Sequence, residues 1–162
     1  MQSRWYLWAL PVVTLAAFGV LALWFEPQVQ AAAGGLLPFD LRVTGYSLAE
    51  ARAFLTALTP DGLALYQGPV RATDTLVPIL CTLTVCLPVR YWHWGWTLPA
   101  LTYGLLDLAE NLAVSILLKT GPTVEAGPVM IASTLTMAKF AAFAVAALIA
   151  LWGLWQARRW QR

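Results

Sequence analysis

Four stretches of this chain are apolar almost without a break, and most polar residues lie between them. Residues 5–25, 72–89, 98–118 and 129–155 each approach the length of about 20 apolar residues that a helix needs to cross the hydrocarbon core of a bilayer. The pattern predicts four transmembrane helices. The fourth run exceeds the length needed, so it tilts or protrudes. Gly121–Pro122 closes the third run and Gly127–Pro128 opens the fourth, where proline is tolerated in the first helical turn. A connection this short makes the third and fourth helices antiparallel neighbours, and residues 90–96 join the second and third as tightly. Val29–Gln30–Ala31 has the look of a cleavage site, but the first run is longer than the core of a secretion signal and reads as an uncleaved anchor.

Residues 26–70 form the one sizeable segment outside the spans. Gln28 to Gly35 reads as a flexible lead-in. Ser47 and Glu50 then form a capping box, in which a hydroxyl and a carboxylate each serve an amide at the helix start. The helix expected from Leu48 to Leu58 carries Leu48, Ala51, Phe54, Leu55 and Leu58 on one face. Thr59–Pro60 starts a second short helix through Leu63, Leu65 and Tyr66, expected to break at Gly68–Pro69. Two helices of this size cannot build a core alone. The segment is therefore expected to lie on the membrane surface or to cap the mouth of a single membrane domain covering residues 1–162, as a structural cap or, on the sharper reading, as a substrate lid.

Composition agrees. The chain is 60% hydrophobic and 11% charged, against roughly a quarter charged in a soluble domain. A net charge of +2, spread along the chain, gives no basis for a nucleic-acid partner. Arg4, Arg90, Arg158, Arg159 and Arg162 flank the spans on one side, and Arg71, Lys119, Arg42 and Arg52 lie on the other. The positive-inside rule makes the first side cytoplasmic, with both termini there and residues 26–70 outside. Eight of the nine tryptophans also fall on that side, as an interfacial aromatic belt requires, and only Trp24 lies opposite.

The polar residues inside the spans carry the candidate chemistry. Tyr103, Asp107, Glu110 and Asn111 recur at spacings of three and four on one face of the third helix. At the helical rise, Glu110 lies about 13 Å and Asp107 about 18 Å in from Lys119. Lys139 of the fourth helix lies roughly 15 Å in from Val129 and so meets them, with Ser133 and Thr136 in the turns before it. Each buried charge costs at least about 2.5–3.5 kcal/mol on the insertion scale, so these groups face the bundle interior. Two acids against one base leave a surplus negative charge that a proton, a further cation or water must meet. The alternative reading is interhelical glue. Asp74 is expected near the outer surface, at the start of the second helix, beside Arg71 or as a helix-start acid. On this reading it differs in depth from Asp107 by well over about 10 Å, too far for a paired-carboxylate site.

Ala138, Ala142, Ala146 and Ala150 line one face of the fourth helix and suit close packing against another helix, within the bundle or in a partner protein. Cys81 and Cys86 fit no zinc or redox spacing. The single histidine, His93, lies in the turn between spans, so an intramembrane haem site has no ligand. With no nucleophile–base pairing and no phosphate loop, no cofactor or metal is expected, and an enzyme is disfavoured.

Gly45–Tyr46–Ser47, Tyr66, Asp74 to Pro78, Leu98–Pro99, Asp107 to Asn111, and Ser133 to Thr136 with Lys139 follow one another in an order that resembles a family of bacterial four-span integral membrane proteins. The resemblance implies an architecture and a shared polar cluster and no activity; the location expected is the bacterial inner membrane. The leading expectation is an all-α four-helix membrane bundle whose Asp107, Glu110, Asn111 and Lys139, helped by Tyr103, Thr136 and Asp74, bind a proton, cation or small amphiphile. A non-catalytic accessory or assembly subunit of a larger membrane complex is the alternative. A membrane enzyme acting on a lipid-soluble substrate comes third.

Overall fold

The computed structural model describes residues 6–89 and 94–159, and no strand occurs among them. Four helical stretches are long and apolar enough to cross a membrane: Ala9–Ala32, Pro60–Leu87, Trp94–Thr123 and Ala126–Gly153. Apolar side chains cover their outward faces; Leu23, Leu105 and Leu148 are 81%, 69% and 67% exposed, which suits lipid and not water. Arg4, Trp5, Arg90, Trp92, Trp160 and Arg162, which contribute to the expected orientation, lie outside the described residues, as does His93.

The first stretch joins α1 (Tyr6–Val20), a widened π turn (Leu21–Phe25) and α2 (Glu26–Ala32). The expected flexible lead-in is thus helical up to Ala32. Its polar residues misled: Gln28 donates back to Trp24 O at 2.7 Å, while Val29 and Ala33 turn fully inward. Gly34 and Gly35, both at positive φ, end the helix.

A Phe39–Leu41 turn leads to α3 (Leu48–Ala57), which begins with the capping box as expected: Ser47 N–H reaches Glu50 Oε2 at 2.7 Å. Thr59 caps α4 (Pro60–Leu65). The expected break at Gly68–Pro69 does not occur. A second π turn (Tyr66–Val70) carries the chain into α5 (Arg71–Val89), because a π turn shifts the local hydrogen-bond register around a proline that has no N–H to give. The second span therefore starts at Pro60, twelve residues before the expected boundary at 72.

Trp94–Thr97 winds into α6 (Leu98–Thr120), and a Gly121–Thr123 turn leads to α7 (Ala126–Arg159). Helices α6 and α7 pack most extensively, α5 lies against α6, and α1 lies against α5. The main apolar core sits at one end of this bundle. There Phe39 and Phe54 are fully buried, their ring centroids 4.8 Å apart, with Tyr46 4.9 Å from Phe39. Arg42 lies within 5.8 Å of all three rings and donates from Nη2 to Leu37 O at 2.8 Å. Arg52 ties α3 to the α6–α7 connection by donating to Val124 O at 2.9 Å. The cap does not lie flat on the bundle: Tyr46 N–H donates 2.8 Å to Ser133 Oγ, two turns into α7. Non-helical backbone at that depth is stable only when surrounded by protein.

Candidate functional site

Helices α6 and α7 run antiparallel, and the spacing on each brings the expected charges together. Lys139 Nζ lies 2.8 Å from Asp107 Oδ1 and also pairs with Glu110 Oε2. Thr136, one turn before Lys139, has a hydroxyl proton for either Glu110 Oε1 or Ala132 O, the latter at 3.1 Å. Glu110 Oε2 meets the ammonium and no hydroxyl or amide donor. All four residues are buried, Glu110 and Thr136 completely.

Asn111 is placed differently from a ligand-binding residue. Pro78 has no N–H, so the carbonyl of Asp74 four residues before it lacks its helical partner. Asn111 Nδ2 reaches across from α6 and donates to that carbonyl at 3.1 Å. Replacing Asn111 by Leu should cost about 1–3 kcal/mol, the penalty of an orphaned buried acceptor. In a Pro78→Ala background the carbonyl regains its helical donor, and the cost should shrink. Thermal unfolding of the four variants in detergent checks this cycle; equal losses in both backgrounds would refute the pairing.

The same contact corrects the position of Asp74. Its backbone is level with Asn111, so it stands only about 6 Å, one helical turn, above Asp107 along the bundle axis. It is buried well inside a continuous helix, because α4, the π turn and α5 are one rod. Nor does it pair with Arg71, whose Nη1 donates instead to Ser115 Oγ. Tyr103 shares the expected helix face but not the ion pair. It packs against Phe143 at 5.2 Å and lines an apolar groove of about 320 Å³ with Cys81, Ala146 and Ala150. Two residues of the alanine face thus border this groove, and no carboxyl lines it.

The structure adds groups that sequence spacing missed. Asp40 of the cap is buried and accepts a 2.5 Å hydrogen bond from Tyr66 Oη, also buried. Asp40 lies close enough to act electrostatically on Asp74, Asp107, Glu110 and Lys139. The Tyr46 hydroxyl is buried beside the cluster; burial, with the Glu110 carboxylate adding to it, pushes this phenol above its ordinary range, so it stays a neutral O–H. The only sequence signal for Asp40 was an acid set between Phe39 and Leu41, inside an apolar run. Tyr46 had none beyond its place after Gly45.

Fold and site together define a class: an all-helical protein with four helices suited to a membrane, and a buried carboxyl–ammonium cluster between two of them. Comparison with protein-family models, curated proteins and solved structures finds no match, so the reading of function rests on this geometry.

Proposed function

We propose that this is a small multi-pass protein of the bacterial inner membrane, with both termini cytoplasmic and the cap outside, that binds and exchanges a proton at the Asp107–Glu110–Lys139 cluster. One observation carries the proposal. Asp40, Asp74, Asp107 and Glu110 are all buried, and Lys139 is the one buried cation among the described residues. A low-dielectric interior does not hold uncompensated carboxylates, so the surplus charge is met by bound protons or another cation. Among the described residues no three acidic, histidine or cysteine side chains converge to hold a metal ion. No carboxyl lines the apolar groove beside Tyr103, so that groove gives no support to an amphiphile held by the carboxyls. The proton is the occupant these constraints favour. Lys139 faces two carboxyls at once, so it can remain paired with one while the other takes up a proton.

An infrared titration of the purified protein in lipid tests this. The expected result is a carboxylic acid band that persists near neutral pH and disappears in Asp107→Asn or Glu110→Gln. A spectrum with no protonated carboxyl at that pH, or one whose acid band survives both substitutions, would overturn the proposal.

A further inference from the structure

Arg71 and Lys119 are two neighbouring cations without an acid. The ion pairs among the described residues are both made by Lys139, so neither Arg71 nor Lys119 has a carboxylate at pairing distance. Arg71 Nη1 donates to Ser115 Oγ across the crevice between the second span and α6, and Lys119 follows Ser115 by one turn. Residues four apart on a helix stand about 5–6 Å from each other at Cβ, so the guanidinium and the ammonium share one patch. A guanidinium carries five N–H donors, and Ser115 is the one acceptor this side chain meets among the described residues. Ser115 is buried, Arg71 half-buried and Lys119 exposed, which sets the patch at the outer edge of the crevice. Exposed apolar side chains continue from it toward the bundle centre, Leu112 and Ile116 on α6 and Leu76 and Ile79 on the second span. The space beside it is open: nothing lies within 4 Å of where a Cβ would stand at Gly68, one turn before Arg71.

We propose that Arg71 and Lys119, with Ser115 fixing the guanidinium, bind the phosphate of a net-anionic phospholipid from the leaflet on the cap side. Two like charges side by side need an anion between them, and the protein provides none. The bilayer provides phosphates at this level. Ser115 stands five residues, about 7 Å, below the end of α6 at Thr120, a depth from which a long basic side chain reaches up to the headgroups. Arg71 can present a fork of two N–H groups to a phosphate, and Lys119 adds a mobile point charge. A helix end does not account for both cations. Lys119 lies in the last turn of α6, where it also suits the helix dipole, but Arg71 lies inside a continuous helix and has no end to serve. The apolar side chains below the patch form a bed for acyl chains, which favours a lipid over a free phosphate. A zwitterionic lipid would bring its own ammonium to two cations, so a net-negative headgroup fits better. This site is separate from the Asp107–Glu110–Lys139 cluster and does not rest on the proton reading. A lipid held there would bridge the second span and α6.

The test adds lipid to the full protein in detergent and follows it by native mass spectrometry and thermal unfolding. Phosphatidylglycerol is the anionic probe and phosphatidylcholine the zwitterionic one. The expected result is one phosphatidylglycerol retained in preference to phosphatidylcholine, with a rise in unfolding temperature. Lys119→Gln and Arg71→Gln should each weaken that retention about fivefold, the worth of one basic side chain beside an anionic membrane surface. Arg52→Gln removes a cation that is bonded to Val124 O instead, and should leave the retention unchanged. Lys119 is exposed, so Lys119→Gln keeps the fold and, with wild type, decides the matter even where Arg71→Gln fails to fold. Equal retention of the two lipids overturns the proposal, as does a phosphatidylglycerol preference indifferent to Lys119→Gln. Inorganic phosphate that displaces the lipid at equal concentration would show a site for a free anion, and overturns the lipid assignment.

Discussion

Lys139→Met should be the most damaging single change in the bundle. It leaves Asp107 and Glu110 facing each other, buried, with no cation, and removing one partner of a buried ion pair costs about 3–5 kcal/mol. The methionine fills much of the lysine volume, so the loss reflects charge and not a cavity. Folded yield in detergent and resistance to thermal unfolding should both fall sharply. Neutralising the partners should reverse this: Lys139→Met combined with Asp107→Asn and Glu110→Gln is expected to recover most of the stability, because it leaves no buried charge and two amides one turn apart on α6 can hydrogen-bond each other. If Lys139→Met alone unfolds like wild type, the ammonium is not the counter-ion of this site. The recovered triple variant would also be the right background for function. Stable but without the infrared acid band, it would separate the cluster's chemistry from its role in holding α6 to α7.

The parts of this arrangement that sequence made legible share one property: they depend on local periodicity and on a short connection. Asp107, Glu110 and Asn111 lie at helical spacing, and residues 121–125 leave α6 and α7 no choice but to pack antiparallel, so Lys139 had to reach the acids. The parts that were not legible depend on non-local contacts or on helix irregularities. Gly68–Pro69 has the composition of a helix stop, yet a π turn absorbs it, and that one turn moved Asp74 from the expected surface into the interior. Pro78 and Asn111 compensate each other across two helices, and neither residue alone announces the pairing. Asp40 and Tyr46 come from a loop whose depth in the bundle is set by a bond to Ser133, 87 positions away in the chain. Periodicity in one helix cannot carry that information. The capping box at Ser47 lies between these cases: it located α3 correctly but said nothing about what the loop before it touches.

That loop is also where the second large effect is expected. Gly45 has φ +79°, a conformation that costs a β-branched residue about 1–3 kcal/mol. Space is short as well. A Cβ at this position would lie 2.7 Å from Ser133 Oγ and 3.1 Å from Met137 Sδ. Methionine can bend away, but Ser133 cannot move freely, because its hydroxyl accepts the Tyr46 N–H at 2.8 Å. Gly45→Val should therefore combine backbone strain with overpacking, for a loss of about 2–5 kcal/mol. Gly34 supplies the control: its φ is +64°, but nothing lies within 4 Å of a Cβ there, so Gly34→Val bears only the backbone part. The difference between the two variants in thermal unfolding measures how firmly the loop is pressed onto α7. Equal losses would mean that the contact with Ser133 and Met137 is loose, and Tyr46 would then have no fixed position beside the cluster. A clearly larger loss at Gly45 would mean that one glycine sets the depth at which the cap delivers Tyr46 to the cluster.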